Sequence, residues 1–188
     1  TNEPYAIAKI AGIKACQAYR AQYGERFISA MPSNIYGPGD NFDPENSHVL
    51  AAMIRKFDDA KRSGQPVVTL WGAGAPRREL LHVDDAADAC LFLLEHYDVP
   101  LPINVGTGED IPIAELAERV REVVFPEAQI RFDSTRPDGT PRKVLDVARL
   151  RALGWRHRVE LTDGIRATYD WYCQKKDQSG SEGKRERG

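Results

Sequence analysis

The residues best suited to chemistry stand almost at the start of the chain, where PYAIAKI places Tyr5 four positions before Lys9. On a helix that spacing stacks the two side chains on one face, a turn apart. A phenol titrates near pH ~10 in water, and an adjacent ammonium stabilises its phenolate, so the pair could act as an acid or base at neutral pH. The same spacing also describes an ordinary surface pair. His48, in ENSHVL, precedes an apolar helical pattern and is either a structural histidine or a proton donor. His82, Asp84 and Asp85, in LLHVDDAADA, bring metal-type ligands close together, yet the aspartates suit capping of the helix that follows. Cys16, Cys90 and Cys173 are odd in number and widely spaced, with no CxxC pair, which fits reduced thiols in a cytoplasm.

The elements that must position these groups follow from periodicity. Apolar residues at helical spacing predict a helix over 5–23, stopped by Gly24. A strand over 26–32 ends at Pro32, and residues 33–48 hold Gly, Pro, Asn and Asp at a density that predicts a long functional loop. Further helices are expected over 49–62, from Asp84 or Asp85 to His96, and over 111–125, 146–155 and 161–176, with strands over 66–72, 102–108 and 128–133. Alternating strands and helices favour a layered α/β architecture. Residues 176–188 carry no apolar side chain and are expected to form a disordered tail.

Composition narrows the functional classes. With 188 residues, 41% hydrophobic and 29% charged, the chain can bury one or two real cores. A formal net charge of -2 supplies no broad basic field, which argues against nucleic-acid or membrane-surface partners held by overall charge. No apolar run approaches the ~20 residues that span a bilayer.

YxxxK on a helix followed by a strand that ends in PSNIYGPGDN resembles the extended short-chain dehydrogenase/reductase family, whose members act on nucleotide sugars with a tightly held nicotinamide cofactor. The segments NEPYAIAKIAGIKACQAYRAQYG, MPSNIYGPGDNFDPENSHVLAAMIRKF, LWGAGAPRRELLHVDDAADA, INVGTGED and RPDGTPRKVLDVARLRALGW narrow the resemblance to the family's 3,5-epimerase and 4-reductase group. That group uses NADPH to convert GDP-4-keto-6-deoxy-D-mannose to GDP-L-fucose. The resemblance covers residues 1 to about 175.

It implies the C-terminal part of an NAD(P)-binding Rossmann-like fold with a small α/β substrate-binding domain. Residues 1–34 would end the cofactor domain, and 35–175 would be mostly substrate domain with returning Rossmann elements. Tyr5, Lys9 and His48 are implied as catalytic, and Lys9, Pro32, Ser33, Asn34, Ile35 and His48 as contacts to NADP(H). Lys56, Trp71, Arg78 and Asp138 are implied as contacts to the GDP-sugar. Read without the resemblance, Trp71 is equally a core residue at a strand end, and Asp138 belongs to a Pro-Asp-Gly turn. Arg77, Arg142 and Lys143 are cationic neighbours without an assigned role. The resemblance also implies a homodimer, packed through the first helix.

The family's Gly-rich phosphate turn, its catalytic serine and its cysteine base have no counterpart in these residues. The expectation is therefore the C-terminal portion of a longer enzyme, inactive by itself. Another nucleotide-sugar epimerase or dehydratase of the same superfamily, and a non-catalytic nucleotide-sugar-binding module, remain as alternatives.

Overall fold

A computed structural model of the chain describes residues 3–44 and 46–185, with side chains to residue 178. The long amphipathic stretches form the expected helices. In α2 (Val49–Ser63), Leu50, Met53, Ile54, Phe57 and Ala60 recur at helical spacing and are buried, and Gly64 closes the helix in the left-handed region at φ 67°. In α4 (Ile113–Val124), Ile113, Leu116, Ala117, Val120 and Val124 do the same. These helices pack with α6 (Leu161–Arg185) over a parallel pair formed by β3 (Val67–Trp71) and β8 (Gln129–Asp133). Val68 and Leu70 face this core while Val67, Thr69 and Trp71 face outward, the alternation a half-buried strand requires.

A second core gathers Leu81, Ala89, Leu93, Ile103, Leu150 and Trp155. It is built from α3 (Val83–His96), the short α5 (Ala148–Ala152) and β6 (Ile103–Val105), which pairs in parallel with the exposed β1 (Ala30–Pro32). Helix α1 (Glu3–Tyr23) is as long as its pattern predicts but buries no residue, and Ile7 and Ile10 stand in the open. Its second half is tied to the loop after α3: Gln17 Nε2 donates to Pro100 O at 3.0 Å, and Arg20 pairs with Asp98 at 2.6 Å.

Several expectations change. The strand placed at 26–32 pairs only from Ala30, and the segment read as loop from 33 contains β2 (Asn34–Tyr36), parallel to β5 (Leu80–His82). Three further two-residue strands, β4 (Arg77–Arg78), β7 (Ile111–Pro112) and β9 (Arg142–Lys143), form a small sheet in the order β7-β4-β9. Helix α5 is shorter than 146–155, because Gly154 turns the chain at φ 101°. Neither Asp84 nor Asp85 caps α3. His82 is the cap, its Nδ1 accepting from Asp84 N at 3.3 Å, while buried Asp85 accepts from Arg158 N and Val159 N at 3.0 Å each.

Helix α6 is helical to Arg185, over most of the stretch for which composition suggests no order; residues 186–188 lie outside the described residues. Lys176 anchors its extension by donating to Asp58 at 2.9 Å and Asp59 at 3.1 Å. Among the described residues no helix is long and apolar enough to cross a membrane.

Asp58 also accepts from Arg62 at 2.8 Å and from Tyr169 at 3.1 Å. Burial pushes its carboxyl up, but the bonds from Lys176 and Arg62 outweigh that and hold it below its ordinary value. A depressed folded value stabilises the protein above the unfolded value and loses that stabilisation as pH falls through the folded one. Asp58→Asn should therefore cost about 2–3 kcal/mol at pH ~7. In thermal melts, the gap to wild type should stay level down to about pH 5 and close progressively below about pH 4.

Candidate active site

The cavity on which the chemical residues converge is built around one crossing of the backbone. β1 pairs with β6, and Ser33 N extends that pairing to Val105 O at 2.9 Å. One residue later Asn34 begins β2 and pairs with β5, its side-chain Nδ2 donating to Glu79 O at 2.8 Å. The chain thus passes from one strand pair to the next at Ser33, whose Oγ is buried without a partner.

Above this crossing lies a cavity of about 720 Å³ lined by Tyr5, Pro32, Ser33, Asn34, Ile35 and His48 and, on the far side of Glu79, which is bonded to both Asn34 and Lys143, by Lys143, Val144 and Leu145. Lys9 does not line it but lies behind Tyr5, its Nζ 5.4 Å from the ring centroid, so the spacing read from the sequence is realised as contact. A smaller adjoining cavity of about 170 Å³ shares Asn34, His48 and Lys143 and adds Arg78. Tyr36, two residues past Asn34, also lines this smaller cavity, is otherwise buried and meets His82 edge to face at 5.4 Å.

Lys56, Trp71 and Asp138 form a second cluster outside both cavities. Trp71 is 65% exposed, which removes the strand-end core reading. Lys56 Nζ lies 5.1 Å and the Arg136 guanidinium 5.2 Å from its ring centroid, and burial lowers the lysine's pKa. Asp138 Oδ1 accepts from Ala73 N at 2.9 Å, fastening the Pro-Asp-Gly turn beside Trp71. Arg78 connects the clusters: it lines the smaller cavity, and its Nη1 donates to Thr140 O at 2.6 Å.

The unassigned cations separate by partner. Arg142 Nε bonds Asp110 Oδ2 and Arg77 Nε bonds Asp110 Oδ1 at 2.7 Å, holding that carboxyl below its ordinary value. Lys143, the next residue of β9, has no acid partner among the described residues and faces the cavities. Lys143, Arg136 and Glu79 are site residues the sequence reading leaves unassigned or unnoticed. Only the pleat, which turns Arg142 and Lys143 to opposite faces, could have distinguished the two adjacent cations. Among the described residues no cluster of His, Cys, Asp or Glu could hold a metal ion, and His82 serves as a helix cap.

A phenol backed by an ammonium, an imidazole and unpaired cations around one cavity can move protons on an anionic ligand. The profile of the NAD dependent epimerase/dehydratase family matches residues 1–106. Over 174 residues the chain is 58% identical to GDP-L-fucose synthase 1 of Arabidopsis thaliana, covering 93% of this chain and 54% of that protein. It is 50% identical over 186 residues to GDP-L-fucose synthase of Escherichia coli strain K12, covering 94% and 58%. A crystal structure of a GDP-L-fucose synthetase from Naegleria fowleri bound to NADP matches with a TM-score of 0.88 at 26% identity, over 94% of this chain and 57% of that one. The chain therefore spans little more than half the length of the relatives it matches.

The division between paired and unpaired cations is testable. Arg142→Ala strips a partner from Asp110 and should lower the melting temperature by a few degrees. Lys143→Ala should leave melting nearly unchanged, as exposed substitutions do, and should weaken pyrophosphate binding measured by calorimetry. Equal melting shifts in the two variants would remove the distinction.

Proposed function

We propose a reaction from one premise: the chain belongs to the NAD dependent epimerase/dehydratase family. As part of a full-length enzyme, it converts GDP-4-keto-6-deoxy-D-mannose to GDP-L-fucose with NADPH, by 3,5-epimerisation and then 4-reduction. The observation that carries this reading is the shared cavity of Tyr5, Ser33, Asn34 and His48, with Lys9 against the Tyr5 ring. Relatives named GDP-L-fucose synthase, 58% and 50% identical, support the choice of substrate.

Charge develops on the sugar's C4 oxygen twice, as enolate during epimerisation and as alkoxide during reduction. Tyr5 donates its proton to that oxygen, and Lys9 stabilises the phenolate left behind. His48, in the cavity wall, returns a proton to the carbon being epimerised, on the face opposite the one it left. NADPH, when bound, supplies the hydride that ends on C4. Lys9, Pro32, Ser33, Asn34, Ile35 and His48 would hold it, and the unpartnered Ser33 Oγ suits the nicotinamide carboxamide. Lys56 and Arg78 offer charge to the diphosphate, with Arg78 suited to bidentate contact. Trp71 offers an exposed flat face to the sugar or base, and Asp138 lies beside it.

In the same reading, residues 1–34 end the cofactor domain, and 35–175 form mostly the substrate domain. The elements of the second core return to the first of these, as the pairing of β1 with β6 suggests. The exposed Ile7 and Ile10 on a helix with no buried residue support a homodimer packed through α1. Three free cysteines fit a cytoplasmic enzyme.

Incubating the full-length protein with the 4-keto sugar and NADPH should yield GDP-L-fucose with matching NADPH oxidation; no reduction, or a different sugar product, overturns the proposal. Tyr5→Phe should slow reduction by about 10²–10⁴-fold. His48→Gln should slow deuterium uptake at C3 and C5, and undiminished uptake would take His48 out of the mechanism.

A further inference from the structure

Glu79 is 1% exposed, and nothing in the proposed reaction uses it. Its carboxylate lies between two loops remote in sequence. Oε1 accepts from Gly108 N at 2.8 Å and faces Thr107 Oγ1 at 3.5 Å, while Oε2 accepts from Leu145 N at 2.7 Å. Gly106 passes so close that a methyl group there would overlap Oε1. Through its backbone, Glu79 donates to Lys143 O at 3.1 Å and accepts from Asn34 Nδ2 at 2.8 Å. The two close partners of the carboxylate are backbone N–H groups, which can only donate.

Those connections span the cavity. Asn34 and Ser33 form one wall, Lys143 and Leu145 the other, and Glu79 lies between them. We propose that Glu79 is a positioning residue that holds the Lys143–Leu145 segment, and with it the unpaired Lys143 cation, at a set distance from the Asn34 strand. It touches neither sugar nor cofactor in this role. The proposal rests on the reading of the cavity as a GDP-sugar and NADPH site.

The two kinds of bond respond differently to substitution. Glu79→Gln keeps the side-chain volume and the backbone bond to Asn34. Whichever way the carboxamide turns, however, its NH₂ group confronts the N–H of Gly108 or of Leu145. The cation wall should loosen while the Asn34 wall stays in place.

The test uses the full-length protein and two calorimetric titrations, one with GDP and one with NADPH. Glu79→Gln should weaken GDP binding about tenfold or more, the scale of one lost buried hydrogen bond, and change NADPH binding by less than about twofold. Unchanged GDP binding, or an equal loss for both ligands, overturns the positioning role; the second outcome marks Glu79 as general scaffold. If the glutamine variant does not fold, Gly106→Ala replaces it, since the added methyl must push Oε1 aside; because that methyl also approaches Ser33 Oγ, this variant is read by GDP binding and hydrogen exchange and not by NADPH binding. Hydrogen exchange gives a readout independent of ligand identity: the Gly108 and Leu145 amides should exchange about tenfold faster or more in either variant, with the amides of β3 unchanged. Unaltered exchange at both amides overturns the proposal. A wild type that binds no GDP, but whose variants show the exchange effect, would instead overturn the functional reading.

Discussion

A carboxylate removed from water must be met by donors, and this chain uses that requirement three times to tie together segments that regular structure does not hold. Glu79 collects the amides of Gly108 and Leu145, Asp85 those of Arg158 and Val159, and Asp58 the side chains of Arg62, Tyr169 and Lys176. The strands near the cavity are only two or three residues long, too short for ladder hydrogen bonds alone to hold them in place. Buried acceptors do that work instead. Without them the loops after β6 and β9 would carry amides with no partner, and the cavity would lose its far wall.

What the sequence reveals depends on length. Helices α2 and α4 are legible because each shows several turns of apolar period, and β3 because five β-favouring residues run between Pro66 and Gly72. A two-residue strand has no period to read, so β4, β7 and β9 appear only in three dimensions. Strand β2 hides for another reason: it lies beside Gly37, Pro38 and Gly39, in a segment whose composition announces a loop. In the site, Tyr5 and Lys9 are legible because helical spacing alone juxtaposes them. Glu79 is not, because its partners come from residues 29 and 66 positions away.

The cations follow the same logic. A chain with net charge -2 can attract an anion only through local arrangement, and the register of β4 against β9 creates one. Arg77 opposite Arg142 would be a repulsive pair, but Asp110 lies between them and accepts from both. The adjacent pair, Arg78 opposite Lys143, has no such acid among the described residues, and its charge is turned to the cavities. One carboxylate thus divides four neighbouring cations into two that hold the sheet and two that line a cavity. Around Trp71 the pattern is looser: Lys56 and Arg136 both approach an indole that stays mostly in solvent.

The close passage of Gly106 against Glu79 also has an evolutionary reading. The absence of a side chain at 106 and the length of the acid at 79 are complementary, so neither position can vary alone without overlap or a gap. A shift to aspartate would withdraw the carboxylate by about one C–C bond, ~1.5 Å, leaving space for a methyl at 106 while stretching the reach to Leu145. Among related chains, residues at these two sites should therefore change together, as a single inherited unit, with the loop at 145 adjusting to match.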